Sequence, residues 1–124
     1  MATNSSSNSQ TNNLLKIFTI IVTYNGREWV DFCLGSLRHS TIATIPIVID
    51  NNSTDNTIQY IRGKYPEAIV FEQEQNFGFG QANNIGLRYA LANNADYVLL
   101  LNQDAAIAPN MLELCLAQSD GQSL

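Results

Sequence analysis

The sequence predicts an α/β fold, an open parallel sheet with helices on both of its faces. Two observations support this prediction. Short apolar runs rich in β-branched residues alternate along the chain with stretches whose apolar residues recur at helical spacing. The short runs are apolar at nearly every position, which is typical of strands that are buried on both sides of a parallel sheet. The length of 124 residues fits a single domain.

Four segments have the composition of strands, and they begin near Ile17, Ile45, Ile69 and Tyr97. The second tolerates Pro46 because the proline stands at the start of the strand. All four strands are expected to be parallel, with right-handed crossovers between them. The first strand is expected to be central.

Helices are predicted between these strands from apolar stripes at helical spacing. Ser53 is predicted to cap the second helix, and Pro109 is predicted to open a short fourth helix. The stripes consist of Trp29, Phe32, Cys33 and Leu37 in the first helix, Ile58, Ile61 and Tyr65 in the second, and Ala82, Ile85, Gly86, Tyr89 and Ala92 in the third.

Composition divides the chain into a disordered polar tail at residues 1–13, an α/β domain at residues 14–117 and a polar C-terminal end at residues 118–124. The tail lacks the features of a secretory signal, and no stretch is apolar enough to span a membrane. We therefore expect a cytoplasmic protein, for which the inner face of the membrane is one place of action. Cys33 and Cys115 are expected to be free, buried thiols.

The net charge of −5 argues against nucleic acid as a partner, since the few Lys and Arg residues are scattered. An acidic protein that binds a nucleotide is expected to need a metal ion to offset the charge of the diphosphate.

Polar and acidic residues collect where the predicted strands end, which is where open parallel sheets bind ligands. Tyr24 is suited either to stacking on a base or to packing in the core. Asp50 is suited to accepting hydrogen bonds from a base or a ribose, or to capping the next helix. Asn102 and Asp104 either share a divalent cation or form a solvated turn.

Gly78 and Gly80 begin a G-x-G-x-x-N pattern, in which Asn83 stands in place of a third glycine. A dinucleotide-binding fingerprint would follow the first strand, whereas this pattern follows the third. We therefore interpret the glycines as a close backbone turn before a helix.

Four segments in this order resemble the motifs of family 2 glycosyltransferases. Residues 23–25 resemble the V-T-Y-N opening, and residues 48–55 resemble the V-D-N-x-S-x-D segment. Residues 76–86 resemble the N-x-G-x-x-x-A-x-N-x-G helix entry, and residues 97–104 resemble the strand that leads into the D-x-D motif. Together the motifs cover residues 17–109.

The resemblance implies the nucleotide-binding half of a GT-A, Rossmann-like fold, which binds a nucleoside-diphosphate sugar for inverting transfer to an acceptor hydroxyl. It implies that Tyr24 lies against the base, that Asp50 holds the base or ribose, and that Asn102 lies near the ribose or metal. Asp104 would bind Mg²⁺ or Mn²⁺ on the diphosphate. The other donor-binding residues implied are Thr23, Asn25, Asn52, Asn76 and Gly80.

The chain departs from the family pattern in three ways. Asn102 replaces the first carboxylate of the D-x-D motif, as in members that resemble rhamnosyltransferases, which favours dTDP-rhamnose over another donor such as a UDP-sugar. Asn83 stands where many members have Arg. The family's catalytic base follows the D-x-D strand, so we expect the base beyond Leu124 and no activity from this chain alone. The acceptor, a glycan or a lipid-linked saccharide, is not identified by the sequence.

Other classes of protein fit the sequence less well. A sugar-nucleotide pyrophosphorylase would carry a glycine-rich, basic loop after the first strand, where residues 23–27 contain one Gly and one Arg. A receiver-like signalling domain would need an acidic pair at the same place. The remaining alternative is a non-catalytic nucleotide-binding module or an inactive fragment.

Overall fold

The computed structural model describes residues 15–122, so the tail predicted at residues 1–13 lies outside the described residues. Strands and helices alternate along the chain, and a single 3-10 turn at Arg27–Trp29 precedes the first helix. The elements are β1 (Ile17–Thr23), α1 (Val30–Arg38), β2 (Ile45–Asp50), α2 (Thr57–Lys64), β3 (Ile69–Glu72), α3 (Phe79–Ala92), β4 (Tyr97–Leu100) and α4 (Met111–Gln122).

The four strands form one sheet in the order β3-β2-β1-β4, and every neighbouring pair is parallel. The predicted starts of the strands and the interior position of β1 are confirmed. The chain builds outwards from β1 through β2 to β3 and then returns to place β4 on the other side of β1. The boundary between β1 and β4 is therefore a topological switch point, where sheets of this kind bind ligands.

Helices cover both faces of the sheet, as predicted. On one face α1, α2 and α4 pack against side chains that include Ile17, Ile21 and Val48. On the other face α3 packs against side chains that include Ile20 and Ile49. Because successive side chains of β1 point to opposite faces, a continuous run of buried apolar residues is needed to fill both cores.

The apolar stripe predicted for α1 is partly wrong, because Trp29 and Phe32 are 39% and 53% exposed. The 3-10 turn has three residues per turn and shifts the phase of the helix that follows. Trp29 and Phe32 instead pack edge to face on the surface, with their ring centroids 6.0 Å apart. The residues of α1 that enter the core are Val30, Cys33, Leu34 and Leu37.

The boundaries of two helices differ from the prediction. Ser53 does not cap α2, which begins at Thr57, because the Ser53 hydroxyl donates to Asp50 instead. The last helix begins at Met111 and continues through Gln122, so most of the polar end predicted at residues 118–124 is helical. Residues 123–124 lie outside the described residues.

The two cysteines are free, and only one of them is buried as predicted. Cys33 lies in the core under α1, whereas Cys115 is exposed on α4. Within residues 15–122, no helix combines the length and the apolar character needed to cross a membrane.

Candidate functional site

A cleft of about 410 Å³ opens at the switch point of the sheet. Its lining comes from the end of β1 and from the segments that follow all four strands, so it joins parts of the chain that are distant in sequence. Four predicted site residues line it: Tyr24, Asn76, Asn102 and Asp104. The prediction missed five others, which are Val22, Asn51, Gly78, Phe79 and Gln103.

A second pocket, of about 310 Å³, lies between β4 and α4. Apart from the exposed end of the helix near Ser119, its lining is apolar, with Val98, Met111 and Leu116 as examples. It lacks the polar groups that orient a nucleotide, so the cleft at the switch point is the better candidate site.

Tyr24 is 46% exposed and lines the cleft. Packing in the core, one of its two predicted roles, is therefore wrong. Phe79 is 56% exposed and lines the same cleft from the start of α3. The cleft thus offers two accessible aromatic rings to a planar ligand such as a base.

Asp50 is only 3% exposed and is not among the residues that line the cleft. Its Oδ1 accepts hydrogen bonds from the hydroxyls of Thr23 at 2.7 Å and Ser53 at 2.6 Å. Its Oδ2 accepts the backbone N–H of Ser53 at 2.8 Å. Since α2 begins at Thr57, Asp50 does not cap that helix; it joins the ends of β1 and β2. A role in donor binding stays a prediction.

Asn25 connects the loops that follow β1 and β2. Its Oδ1 accepts the backbone N–H of Thr54 at 2.7 Å, and its own N–H donates to Ser53 Oγ at 2.8 Å. The residue has a φ of 47°, a left-handed conformation that asparagine tolerates better than most side chains. Asn52 also has a positive φ, of 70°, and its side chain is exposed.

Asn51 supports the loop that leads into α3. Its side chain is 3% exposed, donates to the carbonyl of Gly78 at 3.2 Å and accepts the N–H of Phe77 at 3.4 Å. Asn76 Oδ1 accepts the N–H of Gly78 at 2.8 Å. Gly78 has a φ of 89°, which explains the glycine at this turn. Gly80, a predicted donor-binding residue, is exposed but does not line the cleft.

Gln103 connects the loop after β4 to the loop after β1. Its Oε1 accepts the backbone N–H of Tyr24 at 3.0 Å, and its Nε2 donates to the carbonyl of Tyr24 at 3.3 Å. The flanking residues Asn102 and Asp104 are exposed and both line the cleft. They follow β4, which ends at Leu100, and Asp104 lies within a turn, so the turn that was one of their two predicted alternatives is present. A shared cation stays a prediction.

The cleft fits a metal ion that a ligand helps to hold. Among the described residues, no group of three or more His, Cys, Asp and Glu side chains is placed to bind a metal by itself. Asp104 is the one carboxylate among the described residues that line the cleft, and Asn102 offers an amide oxygen beside it. Mg²⁺ in nucleotide sites commonly takes one or two carboxylates and completes its coordination with phosphates and water.

Cys33 lies directly beneath the loop after β4. Its thiol donates to the carbonyl of Asn102, with 3.7 Å between the sulfur and the oxygen. Burial raises the pKa of this thiol to about 12, and the negative charge of Asp104 adds to the effect. The thiol is therefore protonated at neutral pH and supports the site without offering a nucleophile.

Comparison with known proteins places the chain in a family. The sequence model of glycosyl transferase family 2 matches residues 18–121, and the chain belongs to this family. It is 27% identical to a hyaluronan synthase of Pasteurella multocida over 114 residues, which are 89% of this chain and 11% of that protein. It is 28% identical to an undecaprenyl-phosphate mannosyltransferase of Micrococcus luteus over 101 residues, which are 79% of this chain and 42% of that protein.

The fold is similar to that of S. aureus TarS, whose crystal structure was solved in complex with UDP-GlcNAc. The TM-score is 0.77 at 26% identity, and the match covers 86% of this chain and 32% of the chain in that structure, which is TarS 1–349. The prediction of a GT-A, Rossmann-like α/β fold is confirmed. The chain spans less than half of the length of each of these three proteins.

Proposed function

We propose that this chain binds a nucleoside-diphosphate sugar in the cleft at the switch point, for inverting transfer to an acceptor hydroxyl. One observation carries the proposal: at the edge of the sheet where such folds bind ligands, an exposed aromatic ring lines the same cleft as a lone carboxylate and several amides. Membership of glycosyl transferase family 2 and the similarity to TarS, solved with UDP-GlcNAc, support this choice of ligand.

Different residues of the cleft contact different parts of the ligand. Tyr24 stacks against the base, and the side-chain amides of Asn76 and Asn102 hydrogen-bond hydroxyls of the ribose or the sugar. Asp104 and the diphosphate together hold Mg²⁺ or Mn²⁺. When bound, the ion offsets the negative charge of the phosphates and stabilises the departing nucleotide.

The residues behind the cleft fix the loops that carry these groups. Thr23 acts in this way through its hydrogen bond to Asp50 at the end of β2, and Asn25 through its hydrogen bond to Ser53 in the loop that follows. Asp50 Oδ2 accepts one hydrogen bond from the protein, and a carboxylate oxygen has capacity for another, from a base N–H or a ribose hydroxyl. Asn52 and Gly80 are exposed beside the cleft and contact the donor from its rim.

A dTDP-rhamnose-type donor is our proposal for the sugar nucleotide, because Asn102 stands where the D-x-D motif has a carboxylate. A UDP-sugar is the alternative, and the similarity to TarS favours it. Competition between dTDP and UDP for the same cleft separates the two donors, since dTDP carries a thymine methyl group and lacks the 2′-hydroxyl.

A second candidate function is donor binding without transfer. Inverting transfer needs a base to take the proton of the acceptor hydroxyl. Asp104 is the one carboxylate among the described residues that line the cleft, and in our proposal it binds the metal. We therefore propose that this chain binds the donor but does not transfer its sugar.

Calorimetry of UDP and dTDP binding, with Mn²⁺ or with a chelator, tests the proposal. We expect Mn²⁺ to strengthen binding and Asp104→Asn to abolish that gain, while weak metal-independent binding persists. The matched control is Asp96→Asn, since Asp96 precedes β4 and so lies at the amino ends of the strands, opposite the cleft.

Binding that responds to neither Mn²⁺ nor Asp104→Asn would rule out the metal role, and absence of binding would overturn the whole proposal. Release of sugar to an acceptor by this chain would overturn the proposed lack of transfer.

A further inference from the structure

We infer that Gln103 is a positioning residue that couples the base-binding and metal-binding parts of the cleft; this inference rests on the proposed function. Tyr24 and Asp104 belong to different loops, which follow β1 and β4. The side chain of Gln103 makes a pair of hydrogen bonds to the backbone N–H and carbonyl of Tyr24, at 3.0 Å and 3.3 Å. Gln103, which is next to Asp104, is thus hydrogen-bonded to Tyr24, the residue that would contact the base.

The pair of hydrogen bonds extends the connection between two strands beyond the sheet itself. The ladder between β1 and β4 ends at the pair Ile20–Leu100, and the N–H of Leu101 then donates to the carbonyl of Ile20 at 3.0 Å. Beyond that point the amide of Gln103 supplies the donor and the acceptor that a further strand residue would supply. A side-chain amide is suited to this because it carries both groups in one plane.

Gly26 makes room for this arrangement. A Cβ at Gly26 would lie 2.7 Å from Cδ of Gln103 and closer still to its Oε1, so any larger residue at position 26 displaces the amide. Gly26 has a φ of −110°, which other residues adopt readily, so its backbone conformation does not require glycine. The close approach of the Gln103 side chain is therefore the structural reason for a glycine here.

Coupling follows from this geometry because one ligand has to reach both loops. If the base contacts Tyr24 while the diphosphate shares a metal with Asp104, the spacing of the two loops decides whether both contacts form together. Fixing that spacing before the ligand arrives removes an ordering cost from binding. The gain in affinity from the metal should then depend on Gln103, although Gln103 itself need not touch the metal.

The experiment uses four variants of the chain and measures the ratio of UDP dissociation constants without and with Mn²⁺. Gln103→Met keeps the length of the side chain and removes both hydrogen bonds, whereas Gly26→Ala keeps Gln103 and displaces it. We expect each to lower the ratio by about three- to tenfold, the effect of losing one or two net hydrogen bonds. The double variant should show no further loss. Gln59→Met, at an exposed position of α2 outside the cleft, is the matched control and should leave the ratio unchanged.

Amide exchange of Tyr24, followed by NMR without any ligand, provides a second measurement. Its N–H should exchange faster in Gln103→Met than in the unaltered chain or in Gln59→Met. A normal Mn²⁺ ratio in Gln103→Met, or unchanged exchange of the Tyr24 amide, would overturn the inference while leaving nucleotide binding intact. Failure of the unaltered chain to bind UDP or dTDP would instead overturn the proposed function, and the exchange of Tyr24 would still test the link between the loops.

Discussion

Thr23 and Asp50, the last residues of β1 and β2, are partners in the sheet register, and the Thr23 hydroxyl donates to Asp50 Oδ1 at 2.7 Å. This hydrogen bond joins the two strands at the edge where the cleft begins. With Asp50 3% exposed, the carboxylate is part of the folded framework.

Asp50→Ala should therefore lower the free energy of unfolding by about 2–4 kcal/mol, because it leaves the donors of Thr23 and Ser53 without an acceptor. Urea denaturation followed by circular dichroism measures the loss. Asp104→Ala removes an exposed carboxylate and should change stability by less than about 0.5 kcal/mol. Equal losses in the two variants would show that the hydrogen bonds of Asp50 contribute nothing particular to the fold.

Gly86→Ala should destabilise the protein by about 1–3 kcal/mol, the usual range for overpacking a core. Gly86 lies on the buried face of α3, and a Cβ there would come within 2.7 Å of Ile20 Cγ2 in the central strand. Gly63→Ala is the matched control, because nothing lies within 4 Å of a Cβ at that exposed position of α2. It should stabilise the protein by about 0.5–1 kcal/mol through helix propensity. Thermal denaturation that shifts in the same direction for both variants would contradict this picture.

The two thiols should react at very different rates. Cys115 is exposed, whereas Cys33 is 2% exposed and burial raises the pKa of its thiol to about 12. Because the thiolate is the reactive form, a raised pKa suppresses the reaction of Cys33 at pH 7 to 9. A disulfide reagent such as DTNB should modify one thiol per native chain and two in denaturant. Cys115→Ser should abolish the fast reaction, and rapid modification of Cys33 in the native protein would show that α1 opens readily.

The strands were predictable because their signal is local. A run such as Ile17–Thr23 has side chains in both cores, and its composition is therefore largely apolar and β-branched. The start of α2 was not predictable in the same way, since Ser53 is a good capping residue that a buried carboxylate, Asp50, engages instead. The phase of α1 was missed because a 3-10 turn precedes it.

The site shows a similar division. The rule that ligands bind beyond the ends of parallel strands located Tyr24, Asn76, Asn102 and Asp104 at one cleft. The roles of Asn51 and Gln103 depend on partners 26 to 79 residues away, and their types alone do not reveal which side chains support a loop and which face a ligand. The pairing of β2 with β3 brings Asn51 to its partners, and the pairing of β1 with β4 brings Gln103 to Tyr24.

That pairing also has a consequence for how the protein folds. β1, β2 and β3 pair in the order in which they occur, whereas β4 has to return across the sheet, and the Gln103–Tyr24 contact closes a loop of 79 residues. Long loops lose more chain entropy on closure, and contacts of this range slow folding. The cleft therefore forms only when β4 pairs with β1, the step that costs the most chain entropy. A nucleotide that needs both loops recognises chains that have completed that step, so its binding would favour the fully closed sheet over partly folded forms.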